Sequence, residues 1–188
     1  MLKMEFRQVP YTEILVNEFG ICKYQDWKAE KRCDKGFPNK AGYMMIKLRG
    51  NRFYYVHRLV ARVWVENPCE TYFNVVHHLD HNRSNNVASN LQWTTRGMNN
   101  AWKKNQRLVK KTKGGFYKVS FCYNGRRYSK GRLFTNVESA TEQALIFKTS
   151  LINDTRQHFI KCEELGEDPN GTSFICSECG HVTRNPSV

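Results

Sequence analysis

Phe73-Asn74-Val75-Val76-His77-His78-Leu79-Asp80-His81-Asn82-Arg83-Ser84-Asn85-Asn86-Val87-Ala88-Ser89-Asn90-Leu91-Gln92-Trp93-Thr94-Thr95 is the stretch from which the fold is read. Phe73 to His78 is apolar and β-branched enough for a short strand, and the amide-rich run Asp80 to Asn86 reads as a loop. Asn90-Leu91-Gln92-Trp93-Thr94 predicts a second strand. Thr94 or Thr95 then caps a helix, because a side-chain oxygen there accepts an otherwise orphan amide proton. The product is strand, loop, strand and helix within about thirty residues. His77 and His78 are adjacent, so in a strand their rings point to opposite faces. That geometry argues against a two-histidine chelate and favours divided roles.

Upstream, residues 7 to 56 read as short strands and turns. Gly42-Tyr43-Met44-Met45-Ile46-Lys47-Leu48, the turn Arg49-Gly50-Asn51-Arg52 and Phe53-Tyr54-Tyr55-Val56 make a hairpin. A hairpin alone is marginal and needs a surface to pack on. The segment from His57 to Val65 supplies it, with Leu59, Val60, Val63 and Trp64 on one helical face, ending by Pro68. Downstream, Ala101 to Arg132 holds eleven Lys or Arg and no acidic residue. Phe116 to Tyr123, the turn Asn124-Gly125 and Arg126 to Lys130 form a second hairpin signal. Leu133-Phe134 begins an expected third strand, and Val137 to Leu151 reads as a helix that backs the sheet.

The chain has 188 residues, 30 Lys and Arg against 17 Asp and Glu, and a formal charge of +13. A length of this order excludes a large multidomain enzyme. The positive excess attracts polyanions and nominates nucleic acid, although an anionic membrane or an acidic protein feels the same field. No apolar run is long enough for a membrane span, and Met1-Leu2-Lys3-Met4-Glu5 leads into no signal-peptide core, so a cytoplasmic, intracellular protein is expected. Cys22, Cys33, Cys69 and Cys122 are scattered, whereas Cys162, Cys176 and Cys179 gather near the end. In an intracellular chain such clustering points to a metal more than to disulfides.

Phosphodiester hydrolysis needs an activated water, stabilisation of charge on phosphorus and help for the leaving oxygen. A divalent ion serves the last two needs, and a neutral imidazole takes a proton from water near pH 7. His77-His78, Asn90-Leu91 and Asn99, with Val56-His57-Arg58-Leu59-Val60-Ala61, Asn85-Asn86 and Trp93-Thr94-Thr95 around them, resemble the HNH, or ββα-metal, nuclease motif of phage and intron-encoded homing endonucleases. The resemblance implies that His78 is the general base, that His77 and Asn99 hold the metal, and that Asn90 braces the loop. The ion would bridge the scissile phosphate and the leaving 3′ oxygen, leaving a 5′-phosphate. Many relatives have an Asp-His pair where this chain has His77-His78. The less anionic donor set makes manganese, zinc or nickel eligible beside magnesium. His57 reads as a packing residue beside the helix and His81 as an exposed loop residue.

Residues 113 to 151 resemble a second family, the three-stranded DNA-binding domain of plant ethylene-response regulators, on Gly115-Phe116-Tyr117-Lys118-Val119, Gly125-Arg126-Arg127-Tyr128, Leu133-Phe134-Thr135 and Glu138-Ser139-Ala140. The resemblance implies a sheet against DNA with a helix behind it. Lys103, Lys104, Arg107, Lys110, Lys111, Lys113, Lys118, Arg126, Arg127, Lys130 and Arg132 are the candidate contacts to double-stranded DNA. In the tail, Cys176-x2-Cys179 has the spacing of two thiolates on one tetrahedral ion, with Cys162 third and His158 or His181 fourth, so a structural zinc is expected. The early segment, with Leu15-Val16-Asn17-Glu18-Phe19-Gly20, resembles the small module that often precedes this nuclease motif in phage enzymes.

The expected architecture is α+β and modular. A β-rich module spans 1 to 56, the ββα-metal core 57 to 106, the basic sheet-plus-helix domain 107 to 155 and the zinc tail 156 to 188. Two functions stay open: a phage-encoded, metal-dependent DNA endonuclease acting in a bacterial host, which nicks one strand or makes a double-strand break, and a catalytically silent DNA-binding or regulatory protein. Positive charge and aromatics alone do not distinguish DNA from RNA.

Overall fold

The computed structural model describes residues 4–26, 28–102, 107–123, 126–169, 173–175 and 182–184. They form a small mixed α+β protein whose packing divides into two units, Met1–Pro68 with Phe73–Thr94, and Cys69–Tyr72 with Thr95–Val188.

In the first unit, β1 (Arg7–Gln8), β2 (Leu15–Val16), β3 (Cys22–Gln25) and β4 (Lys31–Asp34) pair in sequence order as an antiparallel sheet. β5 (Phe37–Pro38), β6 (Met44–Leu48) and β7 (Arg52–Tyr55) form another, and β6–β7 is the expected hairpin, with Met45 opposite Tyr55 and Lys47 opposite Phe53. The turns follow a local rule: a short Asx side chain accepts amide protons two and four residues on. Asn17 Oδ1 accepts from Phe19 and Ile21, Asp26 Oδ1 from Lys28 and Glu30, and Asn39 Oδ1 from Ala41 and Tyr43.

Helix α1 (Val56–Trp64) follows β7 directly and ends at Trp64, ahead of Pro68. Its Leu59 and Val60 join Val9, Ile14, Val16, Ile46, Leu48, Val76 and Leu91 in one core. Burial of each such side chain stabilises by about 1.5–3 kcal/mol. β8 (Val75–His78) pairs antiparallel with β9 (Leu91–Thr94), which follows a 3-10 turn at Ala88–Asn90. Two indoles tie the pieces together. Trp64 Nε1 donates to the Val16 carbonyl at 3.0 Å, and Trp93 Nε1 donates to the carbonyls of Ala61 and Val65 at 3.3 and 3.1 Å, which fastens β9 to the end of α1.

The second unit begins with helix α2 (Arg96–Ala101), capped as expected by Thr95, whose hydroxyl accepts from the Met98 amide at 3.1 Å. β10 (Val109–Lys111), β11 (Tyr117–Tyr123) and β12 (Arg126–Phe134) form an antiparallel sheet in that order. The hairpin flanking Asn124-Gly125 is present, with those two residues outside the described set. Leu133-Phe134 differs from expectation: it ends β12 instead of starting a third strand, and the third strand is β10, upstream. A register shift between Lys118 and Ser120 lets β12 run on to Phe134, while Val109 pairs with the buried Val119.

Helix α3 (Val137–Leu165) packs on this sheet, with Phe121 and Phe147 edge-to-face at 5.4 Å. It continues past Leu151 because buried positions continue, through Ile152, Thr155, Phe159 and Cys162. Gly166, at φ 68°, ends it in the left-handed conformation that glycine adopts without strain. Residues 155 and 156 therefore lie within one helix. β13 (Ser173–Ile175) pairs with β14 (Val182–Arg184). Among the described residues no helix is long and apolar enough to cross a membrane.

Candidate functional site

His78 ends β8 opposite Leu91, and His77 precedes it opposite Gln92. Strand alternation sends the two rings into different surroundings, as their adjacency requires. The His78 side, 5% exposed, meets Asn86, His57 and Tyr43: Nε2 lies 3.0 Å from Asn86 Oδ1, and the ring is edge-on to His57 with centroids 5.0 Å apart. The His77 ring, 7% exposed, meets His81 edge-on at 5.2 Å. His81 holds this place from a left-handed backbone, φ 62°, with its amide on the His78 carbonyl at 3.0 Å.

The loop between the strands is laced by its own amides around Asp80. Asn82 N donates to Asp80 Oδ1 at 2.7 Å and Asn85 Nδ2 to Asp80 Oδ2 at 2.8 Å. Asn90 Nδ2 donates to Asp80 Oδ1 and to the Asn85 carbonyl, at 2.9 and 2.8 Å, while its Oδ1 accepts from the Asp80 amide at 3.0 Å. Asn90 thus clips the two ends of the loop, and the side chain on the His78 ring is Asn86. The loop is also moored to upstream residues. Arg83 donates to the Ala41 carbonyl at 2.8 Å and lies over the Tyr43 ring, Ser84 Oγ donates to the Gly42 carbonyl at 3.2 Å, and the Ala88 amide donates to the Glu18 carbonyl at 2.7 Å.

Electrostatics follow from these contacts. Hydrogen bonds from Asn85, Asn82 and Asn90 hold the Asp80 carboxyl down at about 2, so it stays ionised. Burial lowers the His78 pKa, against the opposing pull of the Asn86 bond and the Asp80 charge. His57, 6% exposed, is pushed down to about 3 by burial first and by the neighbouring His78 and Arg58 charges second. Among the described residues its Nδ1 has no hydrogen-bond partner, and its ring sits among Tyr43, Tyr55 and His78. Burial thus keeps two rings of the site, His57 and His78, as neutral imidazoles at pH 7.

Asn99 lies half-buried on α2 in the second unit, its amide on the Thr95 carbonyl at 3.0 Å. Among the described residues no three His, Cys, Asp or Glu side chains gather as a metal site. Of the tail candidates, Cys162 is buried on α3 with Sγ 3.8 Å from the ring nitrogens of His158, one turn away. Cys176, Cys179 and His181 lie outside the described residues, as do Lys103 and Lys104.

Register sorts the other basic candidates. Directly opposed residues in a ladder share a face. Val119, Phe121 and Tyr123 are buried, so Lys118, Ser120 and Cys122, with Lys110, Arg127 and Ser129 opposite them, make the open face. Arg107, Lys110, Ser120, Cys122 and Arg127 line a cleft of about 410 Å³ there. Lys130 lies over the Phe147 ring at 5.0 Å and Arg132 over the Phe134 ring at 5.5 Å, and Arg126 pairs with Tyr123, all on the helix side. Lys111 pairs with Tyr117 on that same side, and Lys113 is exposed in the turn before β11. Sequence reading missed Asn86, His57 and Asp80 as site residues. The doubled Asn85-Asn86 at the end of a loop was the available signal for the first.

No family model matches the chain. Over 61 residues it is 46% identical to a protein of Acanthamoeba polyphaga mimivirus described as an uncharacterized HNH endonuclease; the match takes in 31% of this chain and 18% of that protein, so the chain spans under a fifth of the relative's length. Among solved structures it is similar to that of the HNH homing endonuclease I-HmuI, which binds and cleaves DNA, with 23% identity and a TM-score of 0.40 over 82% of this chain and 91% of that one. So loose a likeness assigns no residue. Nothing in these relatives supports the resemblance of residues 113 to 151 to the plant regulators.

Proposed function

We propose that this chain, which carries an HNH-endonuclease-like domain homologous to that of a viral nuclease, is a divalent-metal-dependent DNA endonuclease that hydrolyses phosphodiesters. The observation that carries the reading is the state of His78: a buried ring, kept neutral by its surroundings and hydrogen-bonded at one nitrogen, at the end of a strand whose following loop is laced shut. A neutral imidazole so held takes a proton from water, the task of a general base at pH 7. Asn90 keeps the loop in register by clipping Asp80 to Asn85.

His77 and Asn99 are the residues that would hold the ion. Their donors are a neutral imidazole and an amide, which suit a divalent cation only with phosphate and water completing the shell. When bound, the ion supplies charge stabilisation at the phosphate and the leaving oxygen. Magnesium, manganese, zinc and nickel are all eligible. The basic residues of the second unit, Lys110, Lys118 and Arg127 on the open sheet face above all, would neutralise phosphates of duplex DNA. A structural zinc on Cys162, Cys176, Cys179 and His181 belongs to the same proposal. Zinc content of the purified chain tests it, and loss of zinc in Cys176→Ser is the expected outcome. The viral relative supports an origin in a virus or mobile element.

Cleavage of supercoiled plasmid, linear duplex and RNA in each of the four ions tests the main reading. The His78→Ala variant, folded and still DNA-binding, should cut roughly 10²–10⁴-fold more slowly. Cutting at the wild-type rate would remove His78 as base. DNA binding with no cutting in any ion would make the protein a silent binder.

A further inference from the structure

We propose that Asn86 is a positioning residue that fixes the tautomer of His78, with the proton on Nε2 and the lone pair on Nδ1, and that the Asn17–Gly20 loop holds Asn86 in place. The proposal rests on the reading of His78 as base and adds which nitrogen acts. An amide oxygen only accepts. Asn86 Oδ1, 3.0 Å from Nε2 with both side chains buried, therefore requires Nε2–H, and Nδ1 is left as the basic nitrogen.

A tautomer is set firmly only if the acceptor itself cannot move, and Asn86 is held from behind. Gly20 adopts φ +79°, and a Cβ built on it would lie 3.1 Å from Asn86 Cβ and 3.2 Å from the Asn86 carbonyl oxygen, so Gly20 packs closely on Asn86 and a side chain there would displace it by a few tenths of an ångström. The Gly20 turn is closed in its turn by Asn17, 1% exposed, whose Oδ1 accepts from Phe19 and Ile21 at 3.1 and 2.8 Å. Two residues beyond Asn86, the Ala88 amide donates to the Glu18 carbonyl at 2.7 Å. The opening strands thereby act on the reaction through one amide oxygen.

The test is the nitrogen spectrum of the His78 ring in the full-length chain, free of added metal, assigned by comparison with His78→Ala. The wild type should show a protonated Nε2 and an unprotonated Nδ1. Asn86→Leu keeps the size of the side chain and removes the acceptor. It should mix the tautomers and lower kcat on the order of ten- to a hundredfold with KM unchanged. Asn86→Asp restores an acceptor and should return the Nε2–H form and most of kcat above pH 8. A wild-type ring protonated at Nδ1 overturns the proposal without any variant. So does an Asn86→Leu ring that keeps Nε2–H with unchanged kcat. Undiminished cutting by His78→Ala would overturn the base reading alone, and the ring spectrum would still decide the tautomer.

Discussion

His57 and His78 are buried rings whose neutrality is a stability statement as well as a catalytic one. Below pH 6.5 the unfolded chain takes up a proton at His57 that the folded chain refuses until about pH 3. Stability present above pH 6.5 is therefore lost as acid is added, at up to about 1.4 kcal/mol per pH unit from this group. Urea melts at pH 7 and pH 5 should show the wild type losing more than His57→Phe, which has no proton to gain and no unpartnered Nδ1. Equal losses would mean that the ring is not held neutral. Asn90→Ala should lower stability by about 1–2 kcal/mol, since it removes the clip between Asp80 and Asn85, and thermal melts read this directly. At this scale residue types were legible and partners were not. His78 was legible as a candidate base through the nuclease-motif resemblance that His77-His78, Asn90 and Asn99 carry, whereas the Asn86 contact depends on how an eight-residue separation folds back, which the motif leaves open.

Among the elements, the β10–β12 sheet carries the sharpest expectation. Arg127→Ala and Lys118→Ala, on the open face, should each reduce by about 1 the slope of log affinity for duplex DNA against log salt. Lys130→Ala, whose ammonium covers the Phe147 ring, should leave that slope alone and lower the melting temperature instead. Fluorescence anisotropy across a salt series separates the two outcomes. Composition nominated these cations as one uninterrupted run. Period-two alternation then divides them between faces, but the phase is visible only once β11 is paired and its buried side is known. The same dependence explains the strands. The hairpins around Arg49–Arg52 and Asn124-Gly125 announce themselves locally, whereas β10 is a strand because Val119 offers it a partner, and α3 runs past Leu151 because tertiary burial continues to Cys162.

For the molecule as a whole, the formal charge of +13 and one His77-His78 pair per chain set the expected behaviour on plasmid. One base acts on one phosphodiester at a time, so supercoiled DNA should pass through open circles before linear product appears on a gel. Linear product without that lag would require two sites acting together. The sequence by itself determined the chemistry on offer: an imidazole pair beside an amide-rich loop, a capped helix after it, and an unbroken basic run, because residue type, short spacing and charge are local properties. Only the tertiary structure decided which nitrogen of His78 is engaged, that Asn86 engages it, that Gly20 and Glu18 support Asn86, and which cations the sheet leaves open. Those facts depend on how a loop folds back on its strand, on how strands pair and on contacts such as Gly20 with Asn86 that join distant parts of the chain, and chain order leaves all of these unspecified until a core has formed.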